Sequence, residues 1–367
     1  MKPYSLSYPA KVIFGNGERK QLPSLLPDGA LLIICGKHSR ERITAELLPQ
    51  LDGRTVELIA DINPELPIAD VERGCAAARK INARAVIGWG GGSAIDCAKA
   101  VAALAPCTGD VTDYFYARKS ITRKGLFFAA LPTTAGTGAE VTGNSVVCDA
   151  ATGIKQSIRG VGMIADLAII DPELTFDCPP AVTAASGMDA LTQGLESLLS
   201  RKADTASSAL ALHAVRQLFA NLEGAYKNIP EAREAVAEGS MLAGMAFANS
   251  GLGAVHGIAH PLGSICHIPH GVCCAMLLPI VLKWNYPVCD EKMDLIASVL
   301  GLSDGTELID RIIQLNSRLG IPENANSYGL SAEQFDFIVR NSRSGSMKCN
   351  PRELSDNDII GILEELL

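Results

Sequence analysis

Aromatic residues make up only 5% of this chain, and histidine is scarcer still, with six among 367 residues. The shortage of aromatics does not limit the core, because 48% of the residues are apolar. Other absences exclude more. No block of Lys and Arg breaks the modest net charge of −8, which argues against nucleic acid and anionic membrane as partners. No run nears the roughly 18 apolar residues of a membrane span, and the start, Met1-Lys2-Pro3-Tyr4-Ser5-Leu6-Ser7, lacks a signal-peptide core. The eleven cysteines are odd in number and contain no C-x-x-C pair, so they read as reduced thiols in a cytoplasmic protein. Repeats and low-complexity linkers are missing too. The length fits two domains.

What is present changes character near the middle. Up to about residue 178, short β-rich runs alternate with helical segments. Leu31–Ile34, Thr55–Ile59 and Ala85–Trp89 are strand candidates, and Ala69–Ile81 has helical periodicity. Such alternation predicts a parallel sheet with helices on both faces. After Cys178-Pro179-Pro180 the strands stop. Helical periodicity then runs through 181–200, 205–222, 230–250 and 272–284, with shorter helices in 291–319 and 331–341. Ser355 reads as the N-cap of a last helix reaching Leu367. The expected fold is an α/β N-terminal domain, residues 1–178, followed by an all-α C-terminal domain, residues 179–367.

Four of the six histidines fall in one stretch, His256-Gly-Ile-Ala-His260-Pro-Leu-Gly-Ser-Ile-Cys-His267-Ile-Pro-His270. On a helix, His256 and His260 share a face one turn apart, and Pro269 and Gly271 suit a loop carrying His270 back toward it. Converging imidazoles mean metal binding or proton transfer, or else a set of polar core histidines. Asp189 and Gln193 are also four apart on a predicted helix. One carboxylate with two imidazoles makes a divalent-cation site with a position open to substrate. In isolation, Asp189 could equally be a cap and Gln193 a surface amide.

In the first half, Gly90-Gly91-Gly92-Ser93-Ala94-Ile95-Asp96 follows the Trp89 strand. Glycines let the backbone approach a pyrophosphate, and amides at a helix N-terminus receive its oxygens. This is neither G-x-G-x-x-G nor a P-loop, and alone it fits a plain tight strand–helix connection as well as a phosphate cradle. A second loop, Pro132-Thr133-Thr134-Ala135-Gly136-Thr137-Gly138-Ala139-Glu140, follows the apolar run Leu126–Leu131. Two such loops at strand ends point to a nucleotide across the carboxyl edge of the sheet.

Together these motifs resemble the iron-containing (group III) alcohol dehydrogenase family. The resemblance rests on Gly90-Gly91-Gly92-Ser93 with Asp96 and Lys99, on Pro132–Thr137 with Glu140-Val141-Thr142, and on Gly187-Met188-Asp189-Ala190-Leu191-Thr192. It continues through His256-x-x-x-His260-Pro261-Leu262-Gly263, Pro269-His270-Gly271 and Asn350-Pro351-Arg352, in order over nearly the whole chain. It implies a Rossmann-like domain and a helical domain in the dehydroquinate-synthase-like arrangement, with NAD(P) and a metal held in a cleft. It further implies a homodimer acting on a small alcohol or aldehyde.

Carried over by position, the resemblance makes Asp189, His256 and His270 metal ligands. The family's fourth ligand, usually a histidine, falls on Gln193. An amide oxygen is a weaker donor toward Fe²⁺ or Zn²⁺ than imidazole. Four ligands of reduced affinity, three ligands plus water, and metal-free reduction all stay open; Fe²⁺ is the expected ion, with Zn²⁺ or another divalent ion as alternatives. His260 matches a histidine beside nicotinamide and substrate, a proton relay and the catalytic candidate. No family role is assigned to His267, which is treated as lining the cleft. The cofactor positions are Gly36, Ser39, Asn63, Gly90, Gly91, Gly92, Ser93, Asp96, Thr133, Thr134, Thr137, Asn144 and Lys155. After Ile34 the chain reads Cys35-Gly36-Lys37-His38-Ser39-Arg40, with no acidic residue before Glu41. Lys37, Ser39 and Arg40 suit a 2′-phosphate and tip the choice toward NADP.

The expected activity is metal-assisted hydride transfer between nicotinamide and an alcohol or carbonyl, the cation stabilising the alkoxide. Gln193 keeps a metal-independent carbonyl reductase, like the maleylacetate reductases, as the alternative. A dehydroquinate-synthase-like lyase needs a basic cleft, and no Lys/Arg set adjoins the metal motif. A non-catalytic nucleotide-binding protein is the last rival, opposed by the retention of both loops and three histidines.

Overall fold

The computed structural model describes residues 3–367. Eight strands occupy the first half: β1 (Lys11–Phe14), β2 (Leu31–Cys35), β3 (Val56–Ile59), β4 (Ala85–Gly90), β5 (Phe127–Pro132), β6 (Asn144–Asp149), β7 (Ile154–Arg159) and β8 (Leu167–Ile170). Six form one sheet in the order β1-β8-β5-β4-β2-β3, parallel throughout, as the alternating pattern predicts. All five residues of β2, Leu-Leu-Ile-Ile-Cys, are buried, the mark of a strand covered on both faces. Successive side chains go to opposite cores. Leu32, Ile34, Val86 and Phe128 join one, while Leu31, Ile33, Ile87 and Trp89 join the other.

The first of these cores is completed by helices α1 (Ile68–Lys80) and α2 (Gly92–Leu104). The second is completed by Ile43, Leu47 and Leu51 from a run of short α-, π- and 3₁₀-turns between Arg40 and Leu51. Pro49 removes a backbone donor within that run, so one regular helix does not form there. The antiparallel pair β6–β7 was not anticipated from the sequence. Its turn is closed by the Thr152 and Gly153 amides on the Asp149 carbonyl, with Gly153 left-handed.

After a short helix, α3 (Val111–Phe115), the next helix is α4 (Pro180–Leu199), and no strand follows. Then come α5 (Thr205–Tyr226), α6 (Pro230–Ser250), α7 (Ala254–Cys266), α8 (His270–Asn285), α9 (Asp290–Val299), α10 (Gly305–Arg318), α11 (Phe335–Asn341) and α12 (Asp356–Glu364). Ser355 caps α12 as expected, exchanging bonds with Asp358. The chain falls into two compact units. One comprises Ser7–Thr134 and Gly138–Asp177; the other comprises Cys178–Leu367 with Ala135–Thr137 and residues 3–6.

Two expectations are corrected. His270 is the first residue of α8 rather than part of a loop, because Pro269 acts as its N-cap and accepts from the Val272 and Cys273 amides. The reading that no segment nears membrane-spanning length also fails. His270–Val288, 19 residues, is long and apolar enough by composition. Lys283 and Asn285 interrupt the run by eye, yet too few polar residues remain to lower its average. Half of this window is buried, with Cys273, Cys274, Leu277, Leu278 and Val281 in the helical core. It is accounted for as a core helix.

Candidate active site

At the carboxyl edge of the sheet, β4 ends at Gly90 and α2 begins two residues later, as the glycine run predicts. A Cβ on Gly90 would stand 2.9 Å from that of Ala94, so only glycine lets the strand turn directly into this helix. The Thr133 amide donates to the Gly90 carbonyl at 3.0 Å, and a Cβ built on Gly91 would lie 3.7 Å from the Thr134 side chain. The Gly36 nitrogen lies 3.5 Å from the Cβ position of Gly90, since β2 and β4 are neighbours. Gly36, Gly90, Gly91, Thr133 and Thr134 therefore converge. Ser93 stands beside them in the first turn of α2, where the Ala94 and Ile95 amides donate to the Gly91 carbonyl and those of Gly92 and Ser93 have no carbonyl partner within the helix. Ser39 closes a 3₁₀ turn with its amide on the Gly36 carbonyl; Lys37 on that turn and Arg40 at its end are exposed and, among the described residues, in no salt bridge.

Other expected cofactor residues are already engaged. The Asn63 amide and side chain both donate to Asp70, and Lys155 pairs with Glu65 at 3.1 Å. Asp96 is buried, accepting from the Val146 amide at 2.9 Å and from Lys99 at 3.3 Å, while Lys99 donates to the Asn144 carbonyl at 2.6 Å. Burial raises the Asp96 carboxyl, lowers the Lys99 ammonium, and pushes nearby Glu140 up to about 7. These groups fasten the β6–β7 pair to α2. Thr137 lies in the segment 135–137 of the helical unit, where Gly136 abuts Ser186.

In the helical unit, α4 places Asp189, Gln193 and Glu196 on one face at a spacing of four and three. All three are buried. His256 and His260 lie a turn apart on α7, as predicted. The first amides of α7 are satisfied from outside: Ala254 donates to the Asn350 side chain at 3.1 Å and Val255 to Glu196 at 2.7 Å. The other Glu196 oxygen bonds His256 Nδ1 at 2.6 Å. His256 Nε2 lies 3.2 Å from Asp189 Oδ1; the protonated ring donates to that oxygen, and in the neutral ring the Nδ1 bond to Glu196 would leave Nε2 as the nitrogen offered to a cation. His270 Nε2 is 3.8 Å from the same oxygen.

Gly271 makes this convergence possible, because a Cβ there would stand 2.2 Å from the Ala185 carbonyl oxygen. The His260 ring stacks on His270 with centroids 4.8 Å apart. His267 is exposed at the left-handed end of α7, away from the cluster of buried donors.

Burial works to lower the His256 imidazolium, but Cys274, Glu196 and Asp189 around it outweigh that and hold it well above its ordinary value. Burial likewise works to raise Asp189, and hydrogen bonding from His256 with the charges of His256 and His270 brings it below the usual carboxylate range. The donor set fits a divalent cation on a further count. Gln193 Oε1 is buried without a hydrogen-bond partner among the described residues, an orphan that a Lewis acid would satisfy. Sequence reasoning missed two members of this site. Glu196 was detectable as the third residue on the Asp189–Gln193 face. Cys274 lies one turn after His270, a spacing available from the sequence; its Sγ is 3.6 Å from His270 Nε2.

Comparisons with known proteins identify the family. Residues 9–172 match the iron-containing alcohol dehydrogenase family, and residues 183–367 match the C-terminal part of the Fe-containing alcohol dehydrogenase family. The chain is 36% identical over 338 residues to long-chain-alcohol dehydrogenase 1 of Geobacillus thermodenitrificans, covering 88% of this chain and 85% of that protein. It is 33% identical to the NADPH-dependent butanol dehydrogenase of Clostridium saccharobutylicum, covering 97% and 96%. Among solved structures, sulfoacetaldehyde reductase from Bifidobacterium kashiwanohense in complex with NAD⁺ superimposes with a TM-score of 0.93 at 30% identity, over 100% and 99% of the two chains. A 1,3-propanediol oxidoreductase gives 0.90 at 30% identity over the full length of both. The chain belongs to the iron-containing alcohol dehydrogenase family and is an NAD(P)-dependent oxidoreductase of the alcohol dehydrogenase and aldehyde reductase class.

Proposed function

We propose that this enzyme transfers hydride between NADP(H) and a small uncharged alcohol or aldehyde, with a divalent cation, Fe²⁺ first and Zn²⁺ second, in the helical unit. The observation that carries the reading is the convergence of Asp189, His256 and His270, with Glu196 behind His256 as the carboxylate that fixes its tautomer. The residues proposed to hold the ion are Asp189, His256 and His270, with Gln193 beside them. A cation bound there would supply Lewis-acid stabilisation of the charge that develops on the substrate oxygen.

The remaining chemistry falls to the chain. The Gly90–Ser93 turn and Thr133–Thr134 bind and orient the dinucleotide through backbone amides and hydroxyls. Gly36, Ser39, Asn63, Asn144 and Lys155 complete the proposed cofactor set; Asp96 acts as a positioning residue, and Thr137 remains proposed from the resemblance alone. An imidazole nitrogen of His260 receives the proton as alcohol becomes carbonyl, supported by its stacking on His270.

The lean to NADP is supported by the exposed Lys37 and Arg40 on the Gly36–Ser39 turn, and by a relative whose name is NADPH-dependent. The relative solved with NAD⁺ stands against it. Michaelis constants for the two reduced cofactors decide the matter, and a strong NADH preference refutes the lean. The modest acidic charge and reduced thiols support a cytoplasmic enzyme working apart from membranes and nucleic acid, and the family resemblance supports a homodimer.

Replacing His270 by Ala tests the central reading. Metal binding and turnover are expected to disappear while cofactor affinity stays. Undiminished turnover in that variant overturns the assignment.

A further inference from the structure

The sequence leaves the helical site one imidazole short, with a neutral amide at Gln193, and the structure brings a thiol to the same place. Asp189 Oδ1, His256 Nε2, His270 Nε2 and Cys274 Sγ, or the equivalent donor atoms of these residues, all lie within 4.8 Å of one another. The separations are 3.2 Å from Asp189 to His256, 3.8 Å from Asp189 to His270, 3.6 Å from Cys274 to His270 and 4.0 Å from Cys274 to His256. Ordinary zinc bond lengths and a tetrahedral angle put a nitrogen–oxygen edge at about 3.3 Å and a sulfur–nitrogen edge at about 3.6 Å. Each observed edge lies within half an ångström of those values, with the donors in place before any ion enters.

This placement follows from the fold. His270 and Cys274 are four apart on α8, so both project to one side of the helix one turn from each other. Gly271 seats that side against Ala185 on α4, the helix that carries Asp189. Cys274 is wholly buried, its Sγ facing both imidazoles and lying within 4.8 Å of the Asp189 carboxylate. Its neighbour Cys273 is turned elsewhere, toward the Ile268 carbonyl at 3.8 Å.

Building on the metal-dependent reading above, the geometry points to Cys274 Sγ, rather than the Gln193 amide, as the fourth metal ligand in this chain. Binding exchanges the thiol proton for the cation, the proton leaving to solvent as the sulfur–metal bond forms. A thiolate among two imidazoles and a carboxylate is a softer set than a carboxylate with imidazoles alone, and it favours Zn²⁺ over Fe²⁺ relative to a site without sulfur. Gln193 then remains a polar wall of the site, its Oε1 available to a hydroxyl of substrate or water.

Cobalt(II) reports on this directly, because it gives visible ligand-field bands on binding and a near-ultraviolet charge-transfer band only when sulfur is a ligand. The full-length reduced protein, stripped of metal and titrated anaerobically with Co²⁺, is expected to show both. Cys274→Ser should keep the visible bands and lose the sulfur band, whereas Gln193→Ala and Cys273→Ser should keep both. Visible bands without a sulfur band in the unaltered protein overturn the proposal while leaving the metal reading intact, as does a sulfur band that survives in folded Cys274→Ser. Absence of any cobalt spectrum overturns the ligand assignment and the metal reading together. If Cys274→Ser does not fold, the spectrum of the unaltered protein together with Cys273→Ser still decides. A sulfur band that Cys273→Ser retains upholds the proposal, and one that it abolishes overturns it.

Discussion

The candidate cofactor edge of the α/β unit and the candidate metal site of the helical unit are built from different parts of the chain. The first is mainly backbone: Gly36, Gly90 and Gly91 clear space, and the first turn of α2 presents amides. The second is made of side chains set by tertiary contacts, as Glu196 holds His256 and Asn350 holds the backbone at the start of α7. A backbone site tolerates many sequences provided no Cβ intrudes. A side-chain site is altered by every exchange of a donor, and can be re-formed by another side chain that reaches the same point, which is how Cys274 stands relative to Gln193.

That contrast can be broken most sharply with two glycines. In Gly271→Ala the new methyl must push α8 off the Ala185 carbonyl, an overpacking cost of about 1–3 kcal/mol that also separates His270 from Asp189. Retained metal should fall to background while cofactor affinity is kept. Gly90→Ala should do the reverse, weakening cofactor binding through its collision with Ala94 and leaving metal content unchanged. Equal effects of both variants on both ligands would erase the distinction.

A milder test acts one step behind the ligands. Glu196→Gln keeps the volume but removes the charge behind His256, and should lower metal affinity by about 10- to 100-fold. A competition titration with a chelator reads this, and unchanged affinity would reduce Glu196 to a helix cap. On the backbone side, removing Lys37 and Arg40 together should raise the Michaelis constant for NADPH by about tenfold with little change for NADH, given the strength of charge-assisted bonds to phosphate. Parallel changes for both cofactors would disprove 2′-phosphate contact.

The smallest effect concerns the buried charges beneath the cofactor edge. Burial raises Glu140 from 4.5 to about 7. Its favourable contribution to stability is therefore complete below its unfolded value and is lost as pH climbs through its folded value. Between about pH 6 and about pH 8 this amounts to on the order of 1 kcal/mol. Glu140→Gln should flatten that part of the stability curve in denaturant titrations, and an unchanged slope would show that Lys99 neutralises the carboxylate at both ends of the range.

The two regions also differed in how well they could be read. The parallel sheet was legible because buried strands such as Leu31–Cys35 are continuous apolar runs, and the helical half because its apolar residues repeat at helical spacing. The β6–β7 pair was not, since a hairpin of mixed polarity such as Ile-Lys-Gln-Ser-Ile-Arg has no strong period. His256 and His260 were expected on one helix face and stand there. What escaped were contacts between distant segments: Glu196 reaching His256 across sixty residues, and the seating of α8 that brings Cys274 within reach of His256 and Asp189. Spacing along one helix predicts which residues share a face, but the neighbouring helix that they face is decided by packing.

The most direct test of the account is the metal content of protein loaded anaerobically with Fe²⁺ or Zn²⁺ and then dialysed. About one equivalent is expected to be retained per chain, with alcohol and aldehyde turnover that is lost on chelation and restored on reloading. Protein that retains no metal yet oxidises NAD(P)H with a carbonyl substrate at full rate would contradict it and make this enzyme a metal-independent reductase.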